Sequence, residues 1–221
     1  MNKAIFAGGC FWCTEAVFLQ LKGVYKVVSG YIGGNISSPT YEMICSGSTG
    51  HVEAIEITFK SSEISYKTLL EVFFNTHDPT QLNRQGNDIG TQYRSIILTT
   101  NDTQNVIAHE ILDVFQGLME KRGYGKIVTK IKPLEKFYYA EEYHQDYLVK
   151  NPNGYCPDHS TGVVFEKDSN KDKTDNSLLL KGKQIVVIES EFCPYCKKFR
   201  ENVLHHYQGT IPLSYLSLIH I

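Results

Sequence analysis

Residues 3–21 read K-A-I-F-A-G-G-C-F-W-C-T-E-A-V-F-L-Q-L, and this stretch predicts how the fold begins. Its first five residues form a short apolar run typical of a buried strand, and the two glycines that follow end it. Beyond the glycines, four apolar residues have the spacing of one helix face: Phe11, Ala16, Val17 and Leu21. The stretch therefore predicts a strand that feeds directly into a helix, with Cys10 at the helix start.

The segments that follow continue this alternation of strands and helices. Apolar patterns predict strands at 24–31, 52–59, 95–99 and 128–131, and helices at 65–75, 103–121 and 141–149. The polar, glycine-rich stretch that ends at Gly50 is predicted to be a long loop. The first six elements match the split βαβ, or ferredoxin-like, order. We therefore predict an α+β sandwich with an antiparallel or mixed sheet, helices on one face, long loops and a coiled C-terminal tail.

Composition divides the chain into a catalytic domain, a linker and a second unit. Residues 1–165 would form the domain, and 166–181 lose aromatic residues and become charged, as linkers do. Residues 182–221 begin with a predicted strand at 184–188, then F-C-P-Y-C and a helix from about Lys197. Since a complete thioredoxin-like domain needs about 100 residues, this last unit is expected to be incomplete and not independently stable.

Charge and hydropathy exclude several classes of function. The 22 basic and 24 acidic residues give a net charge of −2, so no basic surface favours nucleic acid or an anionic membrane. No apolar run approaches the roughly 20 residues that span a bilayer, and the N-terminus does not resemble a secretory signal. We therefore expect a cytoplasmic protein, and no feature of the sequence demands more than a monomer.

The six cysteines include two C-x-x-C pairs, Cys10/Cys13 and Cys193/Cys196, which point to redox chemistry or metal binding. At a helix start, free N–H groups and the helix dipole stabilise an anion, so Cys10 is predicted to be a nucleophile with a lowered thiol pKa. The alternative is that Cys10 is a small core residue. A zinc site of the four cysteines is disfavoured because the two pairs are far apart in sequence. The single E-x-x-H pair of Glu141 and His144 is not enough for a di-iron site and is predicted to be part of a polar network near the site, so we expect no metal.

The residues around Cys10 resemble a known family. G-G-C-F-W-C-T-E at 8–15 is similar to the active-site signature of the peptide methionine sulfoxide reductase A family. Further similar blocks follow in order over residues 3–165, at 39–54 (P-T-Y-E-M-I-C-S-G-S-T-G-H-V-E-A), at 77–95 (H-D-P-T-Q-L-N-R-Q-G-N-D-I-G-T-Q-Y-R-S), at 137–148 (F-Y-Y-A-E-E-Y-H-Q-D-Y-L) and at 151–156 (N-P-N-G-Y-C). The resemblance implies an oxidoreductase that repairs the S epimer of methionine sulfoxide, free or in oxidised proteins, with no bound cofactor.

The resemblance also implies roles for particular residues. Cys10 would attack the sulfoxide sulfur, and Glu53 would be the catalytic acid, partly desolvated and with a raised pKa. Tyr41 and Tyr93 would bind the sulfoxide oxygen, and Asp88 would be a supporting carboxylate. Phe11 and Trp12 would form an apolar wall for the S-methyl group. Without the resemblance, Trp12 could be core, and Tyr41, Tyr93, Glu53 and Asp88 could be ordinary solvated residues.

Attack by Cys10 would leave a sulfenic acid on its sulfur, which a second cysteine converts to a disulfide. The resemblance favours Cys156 as this resolving cysteine. Cys13 is the alternative, although a disulfide with Cys10 would require the helix start to distort. Cys45 is expected to be structural.

Thioredoxin or an equivalent dithiol would then reduce the enzyme. F-C-P-Y-C at 192–196 resembles the start of a thioredoxin-like domain, so Cys193 and Cys196 could supply such a dithiol within the same chain. The alternative function is a general thiol-disulfide oxidoreductase. An assay of Cys10→Ser separates the two, because only the first function loses sulfoxide reduction.

Overall fold

The structure, a computed structural model, describes residues 1–165 with their side chains and, beyond them, the backbone of Ile185–Glu189 and Leu213–Ser217. The chain divides into two compact units, Met1–Phe165 and Glu166–Ile221. The linker predicted at 166–181, Cys193, Cys196 and the helix predicted from Lys197 lie outside the described residues. In the part of the chain that is described, no helix is both long and apolar enough to cross a membrane.

The first unit contains five α-helices and eight strands among its described residues. The helices are α1 (Phe11–Leu19), α2 (Tyr41–Cys45), α3 (Tyr66–Asn75), α4 (Asp102–Lys121) and α5 (Tyr147–Lys150). The strands are β1 (Asn2–Ala7), β2 (Val24–Ile32), β3 (Val52–Phe59), β4 (Arg84–Gln85), β5 (Asp88–Ile89), β6 (Ile96–Thr99), β7 (Lys130–Pro133) and β8 (Tyr138–Tyr139).

Six of these strands form one mixed sheet in the order β7-β6-β1-β3-β2-β8. The central strands β6, β1, β3 and β2 pair antiparallel with one another, which is the ferredoxin-like arrangement. Strand β7 extends the sheet as a parallel neighbour of β6. The predicted α+β class with a mixed sheet is therefore confirmed. Parallel neighbours need a crossover connection, and the long helix α4 supplies it.

The core lies against the middle of this sheet, and capped helices cover it. Nearly every residue of β3 is buried, on both faces, which explains why its sequence lacks strict alternation. Helix α3 begins after Ser65, whose side chain accepts from the Thr68 N–H, and it buries five apolar side chains: Leu69, Leu70, Val72, Phe73 and Phe74. These layers hold the end of β1 and the start of α1 in one place.

Several predictions of local structure were wrong. Helix α1 ends at Leu19, and the residues it buries are Phe11, Cys13, Glu15 and Phe18, because the tail and α5 cover a face that the apolar pattern did not include. The predicted loop before Gly50 contains the short helix α2. The helix predicted at 141–149 is broken at Asp146, whose φ of 52° is left-handed, into a 3-10 turn at 142–144 and α5. The strands β4, β5 and β8 were missed.

In the second unit, β9 (Ile185–Glu189) and β10 (Leu213–Ser217) form a parallel pair. The register runs from Ile185 opposite Leu213 to Glu189 opposite Ser217. The strand predicted at 184–188 therefore lies within one residue of β9.

Candidate active site

Cys10 stands between β1 and α1 because two glycines turn the chain there. Gly9 has a φ of +104°, and a side chain at this position would meet Gln85 at 2.8 Å, so only glycine fits. Cys10 is the N-cap of α1, with an extended backbone (ψ 123°), and helical geometry begins at Phe11. The predicted strand-to-helix turn is therefore present, and the cysteine lies just outside the helix.

The Cys10 thiol is free and only 8% exposed. Burial and the nearby Glu53 carboxylate raise its pKa well above the ordinary range, whereas hydrogen bonds from the backbone of Trp12 and Cys13 lower it. The predicted lowering of the pKa is therefore wrong for the free enzyme, since desolvation and repulsion outweigh the helix start. Protonation of Glu53 removes the largest charge repulsion on the Cys10 thiolate.

Glu53 lies in the buried strand β3 and is 2% exposed. Its Oε2 accepts a hydrogen bond of 3.0 Å from the N–H of Phe11, the residue after Cys10. Burial raises the pKa of Glu53 to about 8, against the effect of the Phe11 hydrogen bond, and repulsion from Asp88 adds to the increase. The shift has the predicted direction, and it leaves Glu53 largely protonated at neutral pH.

The two predicted tyrosines approach this pair from separate elements. Tyr41 begins α2, and Tyr93 ends a 3-10 turn at Thr91–Tyr93. Burial raises the pKa of each hydroxyl, and the charges of Glu53 and Cys10 raise both further. Both phenols therefore stay protonated over the working pH range and can donate hydrogen bonds to an oxygen beside Cys10.

Asp88 lies in the two-residue strand β5, with its side chain 17% exposed. Burial raises its pKa, whereas His159 and a hydrogen bond from the Tyr155 hydroxyl lower it. Its charge raises the pKa of Cys10, Glu53 and Tyr93, so this carboxyl belongs to the same cluster. The structure thus brings together the five residues that the sequence assigned to the chemistry.

Phe11 and Trp12 differ in their surroundings. Phe11 is 1% exposed, with its ring centroid 5.8 Å from that of Tyr31. Trp12 is partly exposed, its ring stacks on Tyr147 at 3.8 Å, and its Nε1 donates to His144 Nδ1 at 3.0 Å. Trp12 is therefore an oriented side chain at the surface of the site and not a core residue.

Residues of the segment 140–147 form a polar network that holds this site in place. Glu141 accepts from the Tyr31 hydroxyl at 2.8 Å and from the Tyr41 N–H at 2.9 Å. Gln145 accepts from the Ser29 N–H at 2.9 Å and donates to the Ser29 carbonyl at 2.9 Å. The sequence predicted Glu141 and His144 as part of a polar network near the site, whereas Gln145 was missed.

Glu15 was missed as well. It is 1% exposed and bonds to backbone groups of Asp146 and Tyr147, which fixes α5 against α1. Nothing in its sequence context distinguishes it from a solvated carboxylate on a helix. Among the described residues, no group of three or more metal-ligating side chains is placed to hold a metal ion.

The described cysteines include one disulfide, between Cys13 and Cys156, with a Cα–Cα distance of 5.4 Å. The disulfide joins α1 to the C-terminal tail beside the free Cys10. It also occupies Cys13, one of the four cysteines of the alternative zinc site. Both candidate resolving cysteines are therefore at the site, although bonded to each other and not to Cys10. Cys45, expected to be structural, is instead exposed and free, and its thiol interacts with the Tyr41 hydroxyl.

Comparisons with known sequences agree over most of the chain. A family model described as peptide methionine sulfoxide reductase matches residues 2–176. The peptide methionine sulfoxide reductase MsrA of Saccharolobus solfataricus is 55% identical over 157 residues, which cover 71% of this chain and 86% of that protein. MsrA of Acinetobacter baumannii is 53% identical over 157 residues, covering 71% of this chain and 88% of that protein.

Solved structures give the same result. Methionine sulfoxide reductase A of Corynebacterium diphtheriae superposes with a TM-score of 0.68 at 40% identity, covering 74% of this chain and 81% of that one. Mxr1 of Saccharomyces cerevisiae in its reduced form gives a TM-score of 0.63 at 36% identity, covering 70% of this chain and 88% of that one.

A free buried thiol next to a carboxylic acid and a disulfide defines a thiol-dependent oxidoreductase on an α+β sheet. The chain belongs to the peptide methionine sulfoxide reductase A family. It is an enzyme that reduces the S epimer of methionine sulfoxide in peptides.

Proposed function

We propose that Cys10 and Glu53 carry out the reduction as a nucleophile and an acid. The Cys10 sulfur attacks the sulfoxide sulfur, and the sulfur–oxygen bond of the substrate breaks as the oxygen passes to Cys10. The products are methionine and a Cys10 sulfenic acid, so the substrate gains the two electrons that Cys10 loses. Glu53 donates a proton to the oxygen as it leaves the substrate, and Tyr41 and Tyr93 hold that oxygen by hydrogen bonds.

The placement of one proton supports this assignment. Cys10 and Glu53 are both buried and repel each other when both are ionised, so the pair favours states with at least one proton. When that proton is on Glu53, the main repulsion on a Cys10 thiolate disappears and the backbone groups of Trp12 and Cys13 stabilise it. The reactive form is then a thiolate beside a neutral acid, which is the pair that the chemistry needs.

The observation that carries the proposal is the hydrogen bond of 3.0 Å from the Phe11 N–H to Glu53 Oε2. It fixes the acid next to the nucleophile. Trp12, partly exposed and oriented by His144 and Tyr147, with Phe11 buried next to it, would form the apolar wall for the S-methyl group. Asp88 would support the polar side of the pocket.

Cys10→Ser tests this assignment. We expect methionine formation from a sulfoxide-containing peptide to fall to the uncatalysed level, while the unfolding transition changes little. Cys45→Ser, which removes the other free thiol among the described residues, is the matched control and should keep sulfoxide reduction. Activity that survives in Cys10→Ser would falsify the role of Cys10.

Recycling would use Cys13 and Cys156 in succession. A thiol condenses with the Cys10 sulfenic acid and releases water, and the second thiol then displaces Cys10 to leave the Cys13–Cys156 disulfide and a Cys10 thiol. Because the backbone of Cys10, the N-cap residue, is not yet helical, we also propose a route through a Cys10–Cys13 disulfide, which the sequence predicted would distort the helix start. Either cysteine can therefore attack first.

The order of attack can be trapped. In Cys156→Ser, one equivalent of sulfoxide should leave a Cys10–Cys13 disulfide if Cys13 attacks first, and a persistent sulfenic acid if Cys156 does. Cys13→Ser is the matched variant for a Cys10–Cys156 disulfide. Mass spectrometry of the alkylated chains reads both outcomes.

A dithiol then reduces the Cys13–Cys156 disulfide, and we propose thioredoxin or Cys193 and Cys196 of the same chain for this role. The parallel pair β9–β10 supports the second source, since F-C-P-Y-C follows β9 in sequence and a C-x-x-C near such a pair is typical of thioredoxin-like redox motifs. A dithiol on the same chain has a high effective concentration near the disulfide, which favours this reaction over one with a separate molecule. The reducing compartment that this cycle requires fits a cytoplasmic monomer acting on oxidised proteins or free methionine sulfoxide.

Counting product without added reductant tests the internal dithiol. A fully reduced chain with excess sulfoxide should yield about three methionines, for the Cys13–Cys156 disulfide, the Cys10 sulfenic acid and the Cys193–Cys196 disulfide. The double variant Cys193→Ser, Cys196→Ser should yield about two by the same count. Equal yields would show that the second C-x-x-C does not reduce the site.

A further inference from the structure

The C-terminal tail that carries Cys156 has no regular secondary structure in its described residues, yet side chains of the first unit hold it. We define this recycling tail as residues 153–161. The Tyr124 hydroxyl donates to the Thr161 carbonyl at 2.8 Å, and the Tyr155 hydroxyl hydrogen-bonds to Asp88. The tail is therefore held on both sides of Cys156.

His159 lies three residues after Cys156 and points into the protein. Its side chain is 6% exposed, and its Nε2 is 4.0 Å from Asp88 Oδ2. Neither of these two buried atoms has a hydrogen-bond partner among the described residues. Burial lowers the pKa of His159, so the contact does not depend on a charged ring. A neutral imidazole N–H can donate to the carboxylate once a small movement brings the two atoms into hydrogen-bond distance.

The backbone of the β4–β5 turn makes room for this imidazole. Gly86 has a φ of +57°, and a side chain at this position would lie 2.5 Å from His159 Nδ1. A glycine is therefore required both by the backbone conformation and by the close approach of the ring. This fit shows that the His159 ring is seated in a formed niche and is not a mobile surface side chain.

Asp88 thus faces two parts of the enzyme. Its charge acts on Cys10 and Glu53, and it also contacts Tyr155 and His159 of the recycling tail. We propose that His159 is a positioning residue for recycling, whose contact with Asp88 holds the tail so that Cys156 stays within reach of Cys13. The inference rests on the proposed function and adds to it the residue that controls the second half of the cycle.

The role of His159 predicts a separation between two rates. Reduction of the first sulfoxide needs Cys10 and Glu53 but not the tail, so its rate should not depend on His159. Formation of the Cys13–Cys156 disulfide needs Cys156 near Cys13, so it should slow when the contact with Asp88 is lost. A residue with only a general structural role would change both rates or neither.

The experiment uses the full, reduced chain mixed with a sulfoxide-containing peptide and quenched with an alkylating reagent at successive times. Methionine is measured by chromatography and the Cys13–Cys156 disulfide by mass spectrometry. In His159→Ala, the disulfide should form about tenfold more slowly, as expected for loss of one polar contact, while the first methionine appears at the wild-type rate. His159→Gln, which keeps a donor near the position of Nε2, should recover most of the rate.

His109→Ala is the matched control, because His109 is an exposed histidine of α4 whose ring contacts only the carbonyl of Asn105 among the hydrogen bonds described. It should behave as wild type. Disulfide formation at the wild-type rate in His159→Ala would overturn the inference, and so would an equal slowing of both rates. If the wild-type chain formed no methionine at all, the proposed function would fail instead, and the two failures are thus distinguishable.

Discussion

Cys10 and Glu53 face the same difficulty, because each is buried and each becomes an anion when it ionises. Burial raises both pKa values, and the charge of Glu53 raises that of Cys10 further, so the free enzyme is a poor nucleophile that keeps a proton on Glu53. Sulfoxide reduction needs that proton on the leaving oxygen and the negative charge on sulfur. The arrangement therefore couples proton donation by Glu53 to attack by the Cys10 thiolate.

Glu53→Gln should remove the acid while it keeps the shape of the side chain. We expect kcat to fall by about 10²- to 10⁴-fold, the usual contribution of a general acid, with a much smaller change in KM. The wild-type rate should fall as pH rises above about 8, where Glu53 loses its proton, and this dependence should be absent in the variant. Glu56→Gln, on the same strand but paired with Lys3 at 2.8 Å, is the control and should keep normal kinetics.

The same residue predicts a cost in stability. Since the pKa of Glu53 is raised in the folded state from 4.5 to about 8, the folded chain holds the proton more tightly than the unfolded chain. The contribution of this proton to the free energy of unfolding is fully present below pH 4.5 and is lost as pH rises through about 8. The free energy of unfolding should therefore decrease over this interval.

We therefore expect Glu53→Gln to be more stable than wild type at pH 9, by on the order of 2 kcal/mol, and nearly equal to it at pH 5. Urea unfolding at the two pH values measures the difference. A variant that is less stable than wild type at pH 9 would contradict a buried, strained carboxylate at this position.

At the scale of elements, the turn from β1 into α1 decides where the nucleophile stands. Gly9→Ala would place a side chain against Gln85 in a left-handed conformation, at a cost of about 1–3 kcal/mol. The displacement of Cys10 should also lower kcat/KM. Thermal unfolding and peptide assays measure both effects.

Gly117→Ala is the matched control for this substitution. Gly117 lies inside α4, and an added side chain would meet no atom within 4 Å. It should therefore stabilise the chain by about 0.5–1 kcal/mol, because alanine favours helices, and leave activity unchanged. If both alanine variants lost activity equally, the turn would not have the special role assigned to it.

The elements also show what can be predicted from sequence. Long periodic stretches and capping residues, such as Ser65 before α3, predicted the central sheet and the longer helices, since these depend on local preference and one buried face. The broken helix around Asp146 could not be predicted, because the bonds that break it run from Gln145 to Ser29, far away in sequence. Tertiary contacts override local preference at such positions.

The candidate site likewise contains residues that could be predicted from the sequence and residues that could not. The residues of the reaction could be assigned because their motifs resemble a family, and the pKa of Glu53 shifts as its burial predicts. The pKa of Cys10 could not be predicted from the helix start alone, since the opposing carboxylate comes from β3. Glu15 and His159 carried no signal, because their partners, Asp146 and Asp88, are adjacent only in the folded chain.

For the whole molecule, we propose that the first unit reduces the sulfoxide and that the second unit supplies the dithiol, Cys193 and Cys196, that regenerates it. A chain that ends at residue 176, the limit of the family match, should unfold at a temperature close to that of the first unit in the full chain. It should keep its turnover with thioredoxin as reductant. Loss of that turnover, or failure to fold, would show that the division into a catalytic domain, a linker and a second unit is wrong.

The most direct test of the central claim follows the transferred oxygen. In the double variant Cys13→Ser, Cys156→Ser, no resolving thiol remains in the tail or in α1, so the sulfenic acid should persist on Cys10. A dione reagent that labels sulfenic acids, followed by peptide mass spectrometry, should then find one adduct on Cys10 for each methionine released. Methionine release without an adduct on Cys10, or with the adduct on another cysteine, would contradict the account.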